Sequence, residues 1–130
     1  MRTRRSLLTG PLAVGGAVML AATLTACGPE TPEIEVPGGD PEQGRTLVVQ
    51  YGCTSCHSIP NVPSVDDESV APALDDLADR DFLAGQIPNR TEELIAWLQN
   101  PQLVDPGTLM PDMGVTRGDA EDIAAFLYGQ

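Results

Sequence analysis

The chain has 130 residues, with 7 Lys+Arg, 19 Asp+Glu, one His and three Cys, which is room for one domain of ordinary size and not for two. Every cation is an arginine, three of them (Arg2, Arg4, Arg5) open the chain, and every acid lies at Glu30 or beyond; past residue five, four arginines face 19 acids, a net charge of −15. Phosphate backbones and anionic membrane surfaces repel such a chain, which excludes nucleic-acid binding.

Met1 to Arg5 forms a cationic start and Leu7 to Ala26 a run of 20 residues without charge, the layout of an export signal. Left uncut, the run is also long enough to span a bilayer. It ends in Leu24-Thr25-Ala26-Cys27-Gly28, small residues before a Cys, which resembles the lipobox of bacterial lipoproteins. That resemblance implies lipidation of Cys27; an uncleaved anchor with an incidental Cys is the alternative, and both hold the domain outside the cytoplasm. Thr3 to Leu8 is also similar to a twin-arginine signal. Residues 28–39, GPETPEIEVPGG, read as a self-repelling linker rich in Pro, Glu and Gly, reaching at most about 40 Å when extended. The expected division is therefore 1–26 signal sequence, 27–39 lipid-bearing Cys and flexible linker, and 40–130 folded domain.

Within that domain Gly44, Leu47, Val48 and Tyr51 follow i, i+3, i+4, i+7 and predict a helix with one apolar face. Leu94, Trp97 and Leu98 predict a second, stopped by Pro101, with Asn89 and Thr91 as competing caps. Ile123, Phe126 and Leu127 mark a last helix, with Thr116 and Asp119 at its start in an N-cap arrangement. Aromatic residues are few (Tyr51, Phe82, Trp97, Phe126, Tyr128), and 13 Gly with 12 Pro break the chain into short pieces. About 90 residues make a marginal core, a hint that a bulky apolar group completes it.

Cys53-Thr54-Ser55-Cys56-His57 is C-x-x-C-H, the attachment signal of a c-type haem. Two thiols three residues apart can form thioethers to the two porphyrin vinyl groups, and the following imidazole then serves as proximal iron ligand. A thioredoxin-like pair needs a βαβ setting that the flanks lack, and a structural zinc site needs four ligands where two Cys and one His remain. A structural disulfide would leave His57 without a role. Because His57 is the sole His and Lys is absent, a bis-His or Lys-ligated iron and a second such haem are excluded. The sixth ligand is Met, water or something unusual; with Met19 in the leader, Met110 and Met113 are the candidates.

From Asp40 to Gln130 the chain resembles a class I bacterial cytochrome c. The resemblance rests on the helix from Gly44 into CTSCH, on Ala71-Pro72-Ala73-Leu74, on LIAWLQNPQLVDPGTLMP, and on the terminal DAEDIAAFLYGQ. It implies an all-α fold of short helices wrapped around one covalent haem c, with the first and last helices crossing at Gly44 and Phe126. It also implies Met110, in Pro106-Gly107-Thr108-Leu109-Met110-Pro111, as distal ligand, and a Pro72 carbonyl accepting the His57 Nδ1–H. Leu74 would then pack on the porphyrin. Trp97 could donate to a haem propionate or belong to the core, and Arg80 and Arg90 could pair with propionates or face solvent. Asp66, Asp67 and Glu68, with Asp75, Asp76, Asp79 and Asp81, read as acidic surface.

A His/Met haem leaves no open site, so the expected role is one-electron carriage and not catalysis on a small-molecule substrate, at a positive midpoint potential. The partners expected are a redox donor and acceptor in or at the membrane, respiratory or photosynthetic, met on the outer face of the bacterial cytoplasmic membrane. Relatives in this class often dock through a ring of Lys around the haem edge; this chain has none, so an apolar edge against a cationic or neutral partner is expected. A structural haem subunit of a larger complex, and a haem enzyme or gas sensor with a labile Met, are the alternatives.

Overall fold

The computed structural model describes residues 34–64 and 69–130. The expected signal sequence, Cys27, the first half of the expected linker and Asp66, Asp67 and Glu68 lie outside the described residues. Helix α1 (Pro41–Gln50) begins at Asp40, whose carboxylate accepts from the N–H groups of Glu42 and Gln43, and Pro41 sits where its missing N–H has no partner to lose. It ends at Tyr51, and Gly52 takes the left-handed φ of +73° that turns the chain into the CTSCH segment. Helix α4 (Arg117–Tyr128) starts at Thr116, whose hydroxyl accepts from the Asp119 N–H.

α1 and α4 cross at Gly44. A Cβ there would overlap the Asp122 carbonyl and lie 2.8 Å from Phe126 Cβ, so only glycine lets the backbones meet. Two bonds secure the crossing: Asp40 N donates to Asp122 at 2.8 Å, and the Tyr51 hydroxyl donates to Asp119 at 2.6 Å. That contact, then the Thr116 hydroxyl, holds the Asp119 carboxyl below the usual carboxylate range. The core runs from Leu47 and Val48 on α1 to Ile123, Phe126 and Leu127 on α4, and takes in Leu94, Ile95, Trp97 and Leu98 on α2 (Thr91–Gln99).

α2 ends at Asn100, and Pro101 opens the four-residue helix α3 (Pro101–Val104), capped by Asn100 accepting from Leu103 N. Neither expected cap of α2 acts as one: Arg90 occupies the N-cap position without a side-chain bond. Asn89 instead donates to the carbonyls of Leu77 and Arg80, each at 2.7 Å, and accepts from the Tyr128 hydroxyl at 2.8 Å. Burial pushes the Tyr128 phenol up to about 12. Asn89 thus fastens the middle of the chain to its last helix. The sole sheet among the described residues is a two-residue hairpin, β1 (Phe82–Leu83) against β2 (Ile87–Pro88), turned at Ala84 and Gly85 with φ of +45° and +81°.

The second half of the presumed linker is docked on the domain. Ile34 and Val36 pack against the core, the Glu35 carbonyl accepts from the Thr91 hydroxyl at 3.3 Å, and Gly39 N closes a turn on Val36 O. Gly39 lies so close to α4 that a Cβ would sit 2.6 Å from the Glu121 carbonyl oxygen. Alternating apolar residues among the acids, Ile34-Glu35-Val36, give this strap a side to bury.

Candidate metal centre

Cys53–Ser55 forms a single tight turn directly after α1, closed by Cys56 N and His57 N on the Cys53 carbonyl at 3.1 and 2.9 Å. One turn therefore carries both thiols and the imidazole. Both cysteines are free and half-buried, and Cys53 packs against the core. Burial pushes its thiol up, favouring the neutral form; a thioether, also uncharged, suits the same surroundings.

His57 Nδ1 lies 2.7 Å from the Pro72 carbonyl oxygen. A carbonyl only accepts, so Nδ1 carries the proton and Nε2 is left as a lone-pair donor. The loop that brings Pro72 to the ring is stitched to the CTSCH turn: Ala71 N donates to Cys56 O and Leu74 N to Ser58 O, at 3.0 and 2.9 Å. Ser69 Oγ lies 2.7 Å from the carbonyls of Cys56 and Ala71. Arg80 braces the loop from the other side, its Nη2 donating to Ala73 O at 2.8 Å and Asp75 O at 2.7 Å, with the Asp75 carboxylate at 3.6 Å. Arg80 is thus engaged by backbone oxygens, which no residue pattern in the sequence marks. Arg90 is exposed beside Glu93 at 3.4 Å.

Leu74 is half-buried against the core and Trp97 lies within it. Met110 is half-buried and packed on the same cluster, whereas Met113 is 42% exposed. The turn before Met110 is built by Asp105, which accepts from Gly107 N through its carboxylate and from Thr108 N through its carbonyl, and by Thr108, whose hydroxyl accepts from Met110 N at 3.2 Å. Among the described residues no three His, Cys, Asp or Glu side chains converge on a point that could hold a metal ion. Two free thiols, one imidazole with Nδ1 committed to a carbonyl, and a half-buried thioether form a donor set that fits a haem.

A profile of the family described as Cytochrome c matches residues 41–129. The chain is 32% identical over 114 residues to a cytochrome c of Tetrahymena pyriformis, covering 77% of this chain and 97% of that one. It is also 29% identical over 86 residues to cytochrome c oxidase subunit 2 of Alkalihalophilus pseudofirmus, and 31% identical over 88 residues to that of Bacillus subtilis. These two matches cover 65% and 67% of this chain but only 24% and 25% of the subunits, so the chain spans about a quarter of their length. No solved structure gives a significant match.

Proposed function

Because the chain belongs to the cytochrome c family, a family of electron-carrying proteins with covalently bound haem c, we propose that it is a membrane-tethered one-electron carrier of class I type. In this reading Cys53 and Cys56 would hold the haem through thioethers, and His57 and Met110 would supply its two protein ligands to iron. The observation that carries it is the His57 Nδ1 contact with the Pro72 carbonyl at 2.7 Å, which fixes the ring and leaves one nitrogen for iron.

The haem, when bound, supplies reversible one-electron exchange between ferric and ferrous iron. The residues decide its conditions. The Pro72 carbonyl makes the His57 imidazole a more basic donor, and the Met110 thioether favours the reduced iron, raising the potential. Cys53, Leu74 and Met110 all pack against the buried core, an apolar setting that would disfavour the extra charge of the ferric state. With His57 and Met110 both serving as ligands, the protein's own work would be to hold their geometry, so that oxidation and reduction would demand little rearrangement.

Lipidation at Cys27 after an export signal would anchor the domain on the outer face of the cytoplasmic membrane. With the strap docked from Ile34 onward, six residues (28–33) separate it from Cys27, a reach of at most about 20 Å for an extended chain. Leu103 and Leu109 are 81% and 98% exposed, and Val104 and Met113 are exposed as well; these apolar residues, close to Met110 along the chain, make up the proposed docking edge. The likeness to a quarter of two oxidase subunits favours a respiratory oxidase as redox partner, and it also favours the second reading, a haem subunit fixed within such a complex. Stoichiometric co-purification with an oxidase would select that second reading.

Optical spectra of the matured protein, oxidised and reduced, with and without CO, test the carrier. A low-spin spectrum with the weak long-wavelength iron–sulfur band, unaltered by CO and lost in Met110→Ala but not in Met113→Ala, is expected. A high-spin or CO-binding haem would replace the carrier with an enzyme or sensor. Mass spectrometry of the membrane form reads the lipid on Cys27.

A further inference from the structure

Gln102 lies in the stretch LIAWLQNPQLVDPGTLMP without an expected role of its own, yet it makes the one hydrogen bond among the described residues that ties residues 106–114 to another element. Its Nε2 donates to the Met110 carbonyl oxygen at 2.6 Å. The other bonds of this stretch are local: Gly107 and Thr108 to Asp105, Met110 to Thr108, and Gly114 to Asp112. They stiffen the turn, but each joins residues two or three apart, so the turn can move as a unit. Gln102 belongs to the fixed side. It lies on α3 beside the fully buried Pro101, in a helix capped by Asn100 and closed by Asp105 N on Pro101 O at 2.8 Å.

We propose that Gln102 is a positioning residue, a latch that closes the distal loop on α3 and sets how often the Met110 side chain leaves the iron; the inference rests on Met110 being the distal ligand. Consequences follow from composition. The chain has no Lys and its sole His is His57, and Arg stays protonated. When the latch opens, no side-chain nitrogen of this chain takes the place of Met110, and a small external ligand competes for the position with the weak thioether of Met113 alone. The latch thus controls access as well as ligation. Gln102 is exposed, so on opening both its amide and the Met110 carbonyl find water. The bond then shifts the opening equilibrium by an ordinary net hydrogen-bond increment, not by the penalty of a buried orphan.

The test uses the ferric holoprotein with cyanide as probe. At saturating cyanide the binding rate becomes the rate at which Met110 departs. Gln102→Leu, which removes the donor, and Gln102→Glu, which keeps the shape but can only accept, should each raise that limiting rate about fivefold (about 1 kcal/mol at roughly 1.4 kcal/mol per factor of ten). The iron–sulfur band should fade at lower temperature in both. Gln102→Arg restores a donor of sufficient reach and should return the rate toward the wild-type value, which a merely structural role for the side chain would not do. An unchanged limiting rate in Gln102→Leu, or no rescue by Arg, overturns the latch. If Met110→Ala keeps the iron–sulfur band, the ligand assignment itself fails and the latch falls with it; if Met110→Ala loses the band while Gln102→Leu leaves the rate unchanged, the latch alone is wrong.

Discussion

Replacing Gly44 with Ala sets two effects of known sign against each other. In an isolated helix Ala is better than Gly by about 1 kcal/mol, and Gly44 lies inside α1. At the crossing, however, the new Cβ would lie 2.6 Å from the Asp122 carbonyl carbon and 2.8 Å from Phe126 Cβ. The first obstacle is backbone, and no rotamer change moves it. Carbon atoms pack at about 3.5–4.0 Å, so the helices must part by about 1 Å. This loosens Leu47, Val48, Ile123 and Phe126, all at 5% exposure or less. Overpacking of this kind costs about 1–3 kcal/mol, and a rigid obstacle places it at the upper end, leaving a net loss of about 2 kcal/mol. For a domain of this size that lowers Tm by about 10 °C, read by thermal melting of the holoprotein. Gly118, in the first turn of α4, is the internal control: a Cβ there meets nothing within 4 Å, so Gly118→Ala should stabilise by up to about 1 kcal/mol. If Gly44→Ala melts at or above wild type, the close crossing is not as described.

Asp119 has a folded pKa below its unfolded value because the Tyr51 hydroxyl, then the Thr116 hydroxyl, donates to the ionised form. Its contribution is therefore present above the unfolded pKa of about 3.9 and disappears as pH falls through the lowered folded value. Wild type should out-melt Asp119→Asn at neutral pH and converge with it in strong acid; a gap that persists there contradicts the assignment. Val36→Glu should release the strap, at a cost of about 1 kcal/mol for a half-buried side chain, and speed cleavage after Glu35 by a Glu-specific protease; equal cleavage rates would mean the strap is not docked. Arg80→Leu removes the brace on the Ala73 and Asp75 carbonyls and should speed hydrogen exchange of the His57 Nδ1–H, measured by NMR; unchanged exchange would show that the loop holds itself.

What the sequence made legible was local chemistry. Cys53, Cys56 and His57 are contiguous, and a tight turn after a glycine is enough to gather them. Thr116 with Asp119, and Leu94 with Trp97 and Leu98, were equally readable because a cap and a helix face each need only one turn of chain. The Pro72 carbonyl is a backbone oxygen, carried by any residue, so only the family resemblance pointed to it. Asn89 looked like a cap since Asn favours that place, but its amide satisfies two carbonyls and a phenol at once, which outweighs one capping bond. The hairpin has no signature in the sequence because two-residue strands have no periodicity, and its turn uses Ala84 at a positive φ where Gly is the usual signal. The strap was hidden by composition: Pro, Glu and Gly outnumber Ile34 and Val36, yet two apolar side chains on one side suffice to dock an extended segment.

The four arginines of the domain bear on its partner. Arg45 donates to the Asn61 carbonyl, Arg80 to Ala73 and Asp75, Arg90 faces Glu93, and Arg117 pairs with Glu92 and Glu121 at 3.0 and 2.9 Å. Each is engaged within the domain, so the long-range field is that of an excess of acids. Such a field accelerates encounter with a cationic surface by about 10–1000-fold at low salt, while in the proposed docking mode the exposed Leu103 and Leu109 would supply contact once the surfaces meet. Screening acts over about 10 Å at 0.1 M and about 3 Å at 1 M salt. Bimolecular electron transfer to a cationic acceptor should therefore fall steeply as salt rises across that range, measured by stopped flow under second-order conditions. Apolar contact is not weakened by salt, so a flat response would assign recognition to the Leu103–Leu109 edge alone. A rate that climbs with salt would mean that the acceptor is itself acidic, and that screening removes repulsion where attraction was expected.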